Sequence, residues 1–336
     1  MLDNIKSYYN SENVCIENLY ISMCKALNRN YKNMYAYSWN FGYLREEQFY
    51  YKKIKPSRDG QSVNYEQNFA LEKYCGIKPI WHINCNMDNL VDYVKKELAE
   101  NRPVGLGIDI YSCNWHIFYN KYHFIHYCLI IGIDEQGLIC IDDTLDNEND
   151  ECALPIKPSY VRIDFKTFEK YRYGFITFDI SRVVLDYSKD DLIYLSALKT
   201  LTGHDGVSDY DHMRNLLSDI KTGFDINREL GEVKDLKAIE IVRTFACIAW
   251  SRSNYCEFLR EKKENCILNI DLIAEKIMES SHLWEEISGY ILKTAITSRS
   301  KFQNESIYKN LSQIIKLEED LAKYILNEYE TKVLLL

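Results

Sequence analysis

Three side chains, Cys15, His126 and Asp142, are of the types that together perform nucleophilic acyl chemistry. A cysteine attacks as its thiolate, so it needs a base within reach and a group behind that base to orient it. Position gives each a reason. Cys15 opens an amphipathic run, where the unpaired amides and positive dipole end of a helix N-terminus stabilise negative charge. His126 immediately precedes the apolar run Tyr127–Ile133, and Asp142 ends the run Leu138–Ile141. The Asp134–Gly137 segment between them is a turn, so the runs are expected to pair as a hairpin and bring His126 and Asp142 to one sheet edge. In that arrangement the carboxylate would hold Nδ1–H and Nε2 would take the thiol proton. Type and spacing alone leave open the alternative of a core cysteine and a strand-end histidine.

The elements that must position these groups follow from periodicity. A first helix is expected from Val14 to Leu27, with Ile16, Leu19, Tyr20, Met23 and Leu27 on one stripe and Ser11 or Asn13 as the cap. A second fits Met87 to Asn101. Val104–Ile110 alternates as a strand, Tyr127–Ile133 is apolar enough for a central strand covered on both faces, and Val161–Phe165 and Gly174–Phe178 are further strands. Near residue 185 the character changes. Beyond it the pattern is helical and free of proline, with helices over Asp235–Arg260, Asp271–Thr297 and Ser306–Tyr329. On Asp235–Arg260 the core face is read as Leu236, Ile239, Val242, Phe245, Ala246, Ala249 and Trp250. The last helix approaches coiled-coil spacing at Ile307, Leu311, Ile314, Leu321 and Ile325, read as intramolecular packing, with a homodimer seam as the alternative. The expectation is an α+β fold: residues 1–185 as an antiparallel-sheet domain behind its N-terminal helix, and 186–336 as a helical cap or docking domain.

Composition narrows the function classes. A net charge of -9 disfavours a sequence-blind grip on nucleic-acid phosphates. No run approaches the ~20 apolar residues of a membrane span. The 11 cysteines include no C-x-x-C pair, and no secretory signal precedes them, so reduced thiols in a cytoplasm are expected.

The runs Asn13-Val14-Cys15-Ile16-Glu17-Asn18-Leu19, Gly107-Ile108-Asp109-Ile110-Tyr111 and His123-Phe124-Ile125-His126-Tyr127, continuing through Gly132 to Ile141-Asp142, carry a resemblance. Together they resemble the N-terminal domain family of butirosin biosynthesis protein H, within the wider papain-like group and near the peptidase domains of bacteriocin-processing transporters. The order Cys, His, Asp matches, and so does the 16-residue step from His126 to Asp142. The resemblance covers roughly residues 10 to 180. It implies a papain-like domain that moves an acyl chain from a carrier-protein pantetheine thioester to a small amine, forming an amide as in antibiotic or nonribosomal-peptide biosynthesis. Relatives of the closthioamide type do similar chain release. No cofactor beyond the carrier's phosphopantetheine is implied.

Papain-like enzymes place Gln six residues before the nucleophile as an oxyanion donor, whereas this chain has Tyr9 there. Asn10 or Asn13, with the Cys15 amide, is the expected replacement. Glu17, Asp109 and Tyr111 are candidate substrate-binding residues; for Glu17 the alternative is a first-turn acid, and for Asp109 a strand-terminal turn acid or a brace. His123 and His126 could ligate a metal but have no third ligand apparent, and the Gly203–His212 stretch, with two His and three Asp, is read as a helix-capping loop rather than a metal site. The aromatic segment Tyr35–Tyr51 is expected to line an acyl-chain channel rather than form a packed loop. Arg162, Lys166, Lys170 and Arg172 are the expected docking patch for an acidic carrier. Two other classes share the residues: a cysteine peptidase or thioester hydrolase with the same triad, and a non-catalytic scaffold.

Overall fold

The computed structural model describes residues 1–56, 66–83, 87–146, 154, 158–203, 206–230, 239–261, 266–297 and 303–333. In chain order it holds α1 (Cys15–Ala26), β1 (Phe41–Tyr43), α2 (Tyr50–Lys53), β2 (Ile54–Pro56), α3 (Glu66–Tyr74), β3 (Lys78–Ile83) and α4 (Met87–Ala99). Then come β4 (Val104–Asp109), β5 (Ile125–Ile133), β6 (Gly137–Ile141), β7 (Val161–Asp164), α5 (Phe165–Tyr171) and β8 (Arg172–Asp179). The rest is helical: α6 (Lys189–Thr202), α7 (Asp209–Gly223), α8 (Ile226–Leu230), α9 (Glu240–Arg260), α10 (Ile270–Thr297) and α11 (Asn304–Val333). The fold class is α+β. No described helix is long and apolar enough to cross a membrane.

Two compact units emerge. One is Met1–Tyr31 with Leu71–Leu185; the other is Lys32–Ala70 with Asp186–Leu336. The third crossing, after Leu185, falls where the change of character is read, but the segment Lys32–Ala70 departs from the expected 1–185 division. Its aromatic rings explain why. Within the second unit Phe41 stacks on Trp284 with centroids 5.8 Å apart, Tyr50 packs on Phe224 at 4.9 Å, and Trp39 packs on Tyr255 at 5.6 Å. Tyr35–Tyr51 is therefore a packed segment of the helical unit, correcting the expectation of an acyl-channel lining. Burying large rings against apolar helix faces is its own sufficient driving force.

In the first unit the strands form one antiparallel sheet in the order β3-β8-β4-β5-β6-β7. One face joins Leu106, Cys128, Ile130, Leu138 and Cys140 to Leu90 and Val94 of α4 and Phe168 of α5. On the opposite face Tyr20 of α1 meets Phe178 edge-on at 6.5 Å, and Trp81 meets Tyr127 at 5.8 Å. Covered on both faces, β5 has the continuous apolar character of a central strand. The sequence expectation lacks β3, and its Pro79 is tolerated because β3 is an edge of the sheet.

The hairpin of β5 and β6 positions the site. It turns at Gly137, whose φ of +155° and close approach to the Ile163 carbonyl of β7 exclude any side chain. A register shift between Ile130 and Gly132 interrupts the ladder to β6, and the Ile131 carbonyl accepts the Leu2 N–H at 2.8 Å instead.

In the second unit α9 buries Ile241, Phe245, Ile248, Ala249 and Tyr255. The expected face is rotated: Val242, Ala246 and Trp250 are only half-buried, and Leu236 lies outside the described residues. The rotation accommodates Arg252, which is fully buried with Glu318 of α11 at 2.9 Å. On α11, Ile307, Leu311, Ile314, Leu321 and Ile325 are all buried in contact with α6, α7 and α10, so the heptad-like face is occupied within the chain.

Candidate active site

Helix α1 begins at Cys15, one residue later than expected, and neither Ser11 nor Asn13 caps it. Val14 is the N-cap and has no side-chain acceptor; Glu17 compensates by accepting the Val14 N–H on Oε2 at 2.9 Å. The Cys15 N–H, the first of the helix's orphan donors, has no acceptor among the described residues. Cys15 itself is half-buried and lies near enough to His126 to favour its protonated form.

The register explains how His126 meets Asp142. Leu129 faces Ile141 across the β5–β6 ladder, which sets Asp142 opposite Cys128 and diagonal to His126 on the same face. Diagonal neighbours lie roughly 7–8 Å apart at Cα, a gap long side chains close. His126 closes it with its outer nitrogen: Nε2 is 2.6 Å from Asp142 Oδ2. The expected roles of the two ring nitrogens are thus exchanged. Nε2 faces the carboxylate and Nδ1, nearer the backbone, remains for the thiol. The other Asp142 oxygen accepts from the Thr144 N–H at 2.9 Å and the Thr144 hydroxyl at 2.7 Å.

The electrostatics follow from burial and pairing. Burial alone would pull His126 down, but the Asp142 carboxylate and the Cys15 contact outweigh it and hold the imidazole well above its usual value. Burial pushes Asp142 up, and the His126 charge with the His126 and Thr144 hydrogen bonds more than reverses it, keeping the carboxyl well below the usual carboxylate range. The pair is an ionised carboxylate beside an imidazole that readily holds a proton, the setting for accepting one from a thiol and returning it to a leaving group.

A second thiol, Cys113, lies near His126 and Asp142. Burial pushes it up to about 12, against the pull of His126 and with a further push from Asp142. It is a buried neutral thiol and no competitor for Cys15.

The tentative residues divide. Asn13 is buried and gives its amide NH2 to Asn18 Oδ1 at 3.0 Å, whereas Asn10 accepts the Glu12 N–H on Oδ1 at 3.0 Å, leaving its NH2 as a donor. Glu17 is fully buried at the helix cap, where its carboxylate has the first-turn role. Asp109 accepts the Tyr111 N–H at 3.0 Å and bonds His123 Nδ1 at 2.7 Å, so it caps a turn and braces an exposed histidine. Tyr111 stacks on that histidine at 4.2 Å. His123 is therefore apart from the His126–Asp142 pair. Ser208 caps α7, while His204 and Asp205 of the Gly203–His212 stretch lie outside the described residues.

Sequence reasoning gave no role to Asn18, Asp143 or His116, the last placed only in the loop leading to His126. His116 is buried with its ring 5.3 Å from that of His126. Asn18 stands one turn after Cys15 and donates to Asp143 Oδ2 at 2.7 Å; the i, i+3 spacing is the signal that was available. His126, Asp142 and Asp143 each offer a ligand-type atom within 4.8 Å of the others. The His126–Asp142 and Asn18–Asp143 bonds make the cluster a hydrogen-bonded network.

No protein-family model matches the chain, and no curated protein matches it.

Proposed function

We propose that the protein is a papain-like cysteine acyltransferase that moves an acyl chain from a carrier-protein pantetheine thioester to an amine. The observation that carries the reading is the grouping of half-buried Cys15 at a helix N-terminus with buried His126, whose protonated form it favours, and Asp142 bonded to His126 Nε2 at 2.6 Å. The Cys15 sulfur attacks the thioester carbonyl after its proton passes to His126 Nδ1; the C–S bond to pantetheine breaks and the departing thiol takes that proton. An amine then attacks acyl-Cys15, His126 accepts the amine proton, and the Cys15 thiol is regenerated as the amide leaves. The free Cys15 N–H and the Asn10 NH2 are the proposed oxyanion donors, since Asn13 is committed to Asn18. Exchange between thioesters is close to neutral and aminolysis of a thioester is downhill, so the cycle needs no further energy source.

Mixing the protein with acyl-pantetheine and resolving its intact mass is expected to show a gain of one acyl group, mapped to the peptide holding Cys15. Added amines should discharge this species to amide faster than water hydrolyses it. Discharge by water alone would instead favour the thioester hydrolase with the same triad, and absence of an adduct with any thioester would favour a peptide substrate or the scaffold reading.

Of the expected carrier patch, Arg162 is committed to Asp134 at 2.7 Å, and the Arg172 guanidinium lies over the Phe168 ring at 5.4 Å. Lys166 and Lys170 are exposed. Reversing both to Glu is expected to raise KM for a carrier-bound thioester several-fold, and more at low salt, with no change for free acyl-pantetheine. Equal effects on both substrates would remove the patch from carrier docking.

A further inference from the structure

Asp143 sits next to Asp142 with one carboxylate oxygen explained and the other not. Its Oδ2 accepts from Asn18 Nδ2 at 2.7 Å, while its Oδ1 is shielded from solvent and meets no donor among the described residues. A shielded carboxylate oxygen without a donor costs free energy unless it carries a proton and becomes the donor. An acceptor stands near it, since Asp142 and Asp143 each place a carboxylate oxygen within 4.8 Å of the other. The Asp142 carboxylate has about four acceptor positions, and three are taken, by His126 Nε2, the Thr144 N–H and the Thr144 hydroxyl.

We propose that Asp143 is a positioning residue: as the neutral acid it donates from Oδ1 to Asp142 while Oδ2 accepts from Asn18, so one carboxyl ties the nucleophile's helix to the acid behind the base. The tie continues to the loop before Cys15, because Asn18 Oδ1 accepts the Asn13 amide at 3.0 Å. Asn18 is also held in place from its own helix, its carbonyl accepting the Ser22 hydroxyl at 2.9 Å. Burial first, and then the Asp142 charge, push Asp143 up to about 7, against the opposing pulls of His126 and Asn18. The groups facing it are His126 from β5, and Asn18 from α1, whose first turn also carries Cys15 and the cap-bound Glu17. On its own segment are Asp142 and Asp146, the latter bonded to the Ser7 hydroxyl. Above pH 7 the proton leaves, Asp142 loses a donor, and two adjacent carboxylates stand behind His126.

The inference rests on Cys15 and His126 acting as nucleophile and base, but not on what the acyl donor is. The test is accordingly the rate of Cys15 alkylation by iodoacetamide in the full-length protein, followed by peptide mass against pH. Wild type is expected to show an inflection near pH 7, its reactivity falling several-fold relative to the simple thiol titration. Asp143→Asn, whose amide accepts from Asn18 and donates to Asp142 at every pH, should keep the neutral-pH rate and lose the inflection. Asp143→Ala, which can do neither, should react about 10-fold or more slowly throughout, as is typical when a residue supporting a site is removed. An unchanged profile in Asp143→Asn, or equal losses in the Asn and Ala variants, would overturn the proposal. If Asp143→Ala does not fold, the comparison of wild type with Asp143→Asn decides. A protein that alkylates in this way yet forms no acyl adduct would contradict the transferase reading and leave the role of Asp143 standing.

Discussion

Cys15→Ala is expected to abolish the acyl adduct and to lower amide formation by about 10⁴-fold or more, the scale seen when a nucleophile is removed from a catalytic unit. The fold should survive, because Cys15 is half-buried, its side chain is small, and the helix start is held by Glu17 on the Val14 N–H. His126→Ala should cost nearly as much, and the double variant little more than either alone, since members of one catalytic unit are not additive. Asp142→Asn should lose less, by one to two orders of magnitude, because the imidazole keeps a neighbour but loses the charge that holds its proton. Single-turnover acylation with circular dichroism on each variant measures these values. Wild-type rates in Cys15→Ala would remove the triad from the chemistry, and strictly additive losses would show that the three do not act together.

Glu318→Ala is expected to destabilise the helical unit by about 3–5 kcal/mol, the cost of leaving a buried charge without its partner. Glu318 is the hub of that core. Its carboxylate accepts from Arg252 Nε at 3.0 Å and Nη2 at 2.9 Å, from Trp39 Nε1 at 2.9 Å, and from the Ser280 hydroxyl. Arg252 also donates to the Asn40 carbonyl at 3.1 Å. Removing Glu318 therefore strands a fully buried guanidinium and frees the segment Lys32–Ala70 at Trp39. Arg252→Met combined with Glu318→Leu should be more stable than Glu318→Ala, since apolar groups of similar volume replace an ion pair with little loss. Denaturant unfolding followed by the far-ultraviolet helical signal reads both. A loss below about 1 kcal/mol for Glu318→Ala would mean that the network contributes no more than an exposed ion pair.

Much of the site was legible in the linear chain because its geometry is local. The β5–β6 hairpin turns within a few residues, so the positions of His126 and Asp142 follow from strand period and turn chemistry alone. A helix opening within one residue of Cys15 follows similarly from helix periodicity. The α+β class, the helical character beyond Leu185 and the buried face of α11 are likewise local patterns. What needed the tertiary structure depends on partners distant in sequence. Which ring nitrogen of His126 meets Asp142 is a matter of reach across the ladder, and Asn18 with Asp143 is a contact spanning 125 positions. The aromatic segment Tyr35–Tyr51 carries no period that names its partner, and only the packing of Trp39, Phe41 and Tyr50 on the helices assigns it to the second unit. Arg252 looks like a surface residue on α9 until Glu318 and Trp39 arrive from elsewhere in the chain. Hydrophobic period and turn residues determine which elements form and which end of each carries a reactive group. The placement of buried charges and the state of the proton they share are decided only when separate elements close over them, because those energies depend on desolvation and on neighbours that no window of sequence contains.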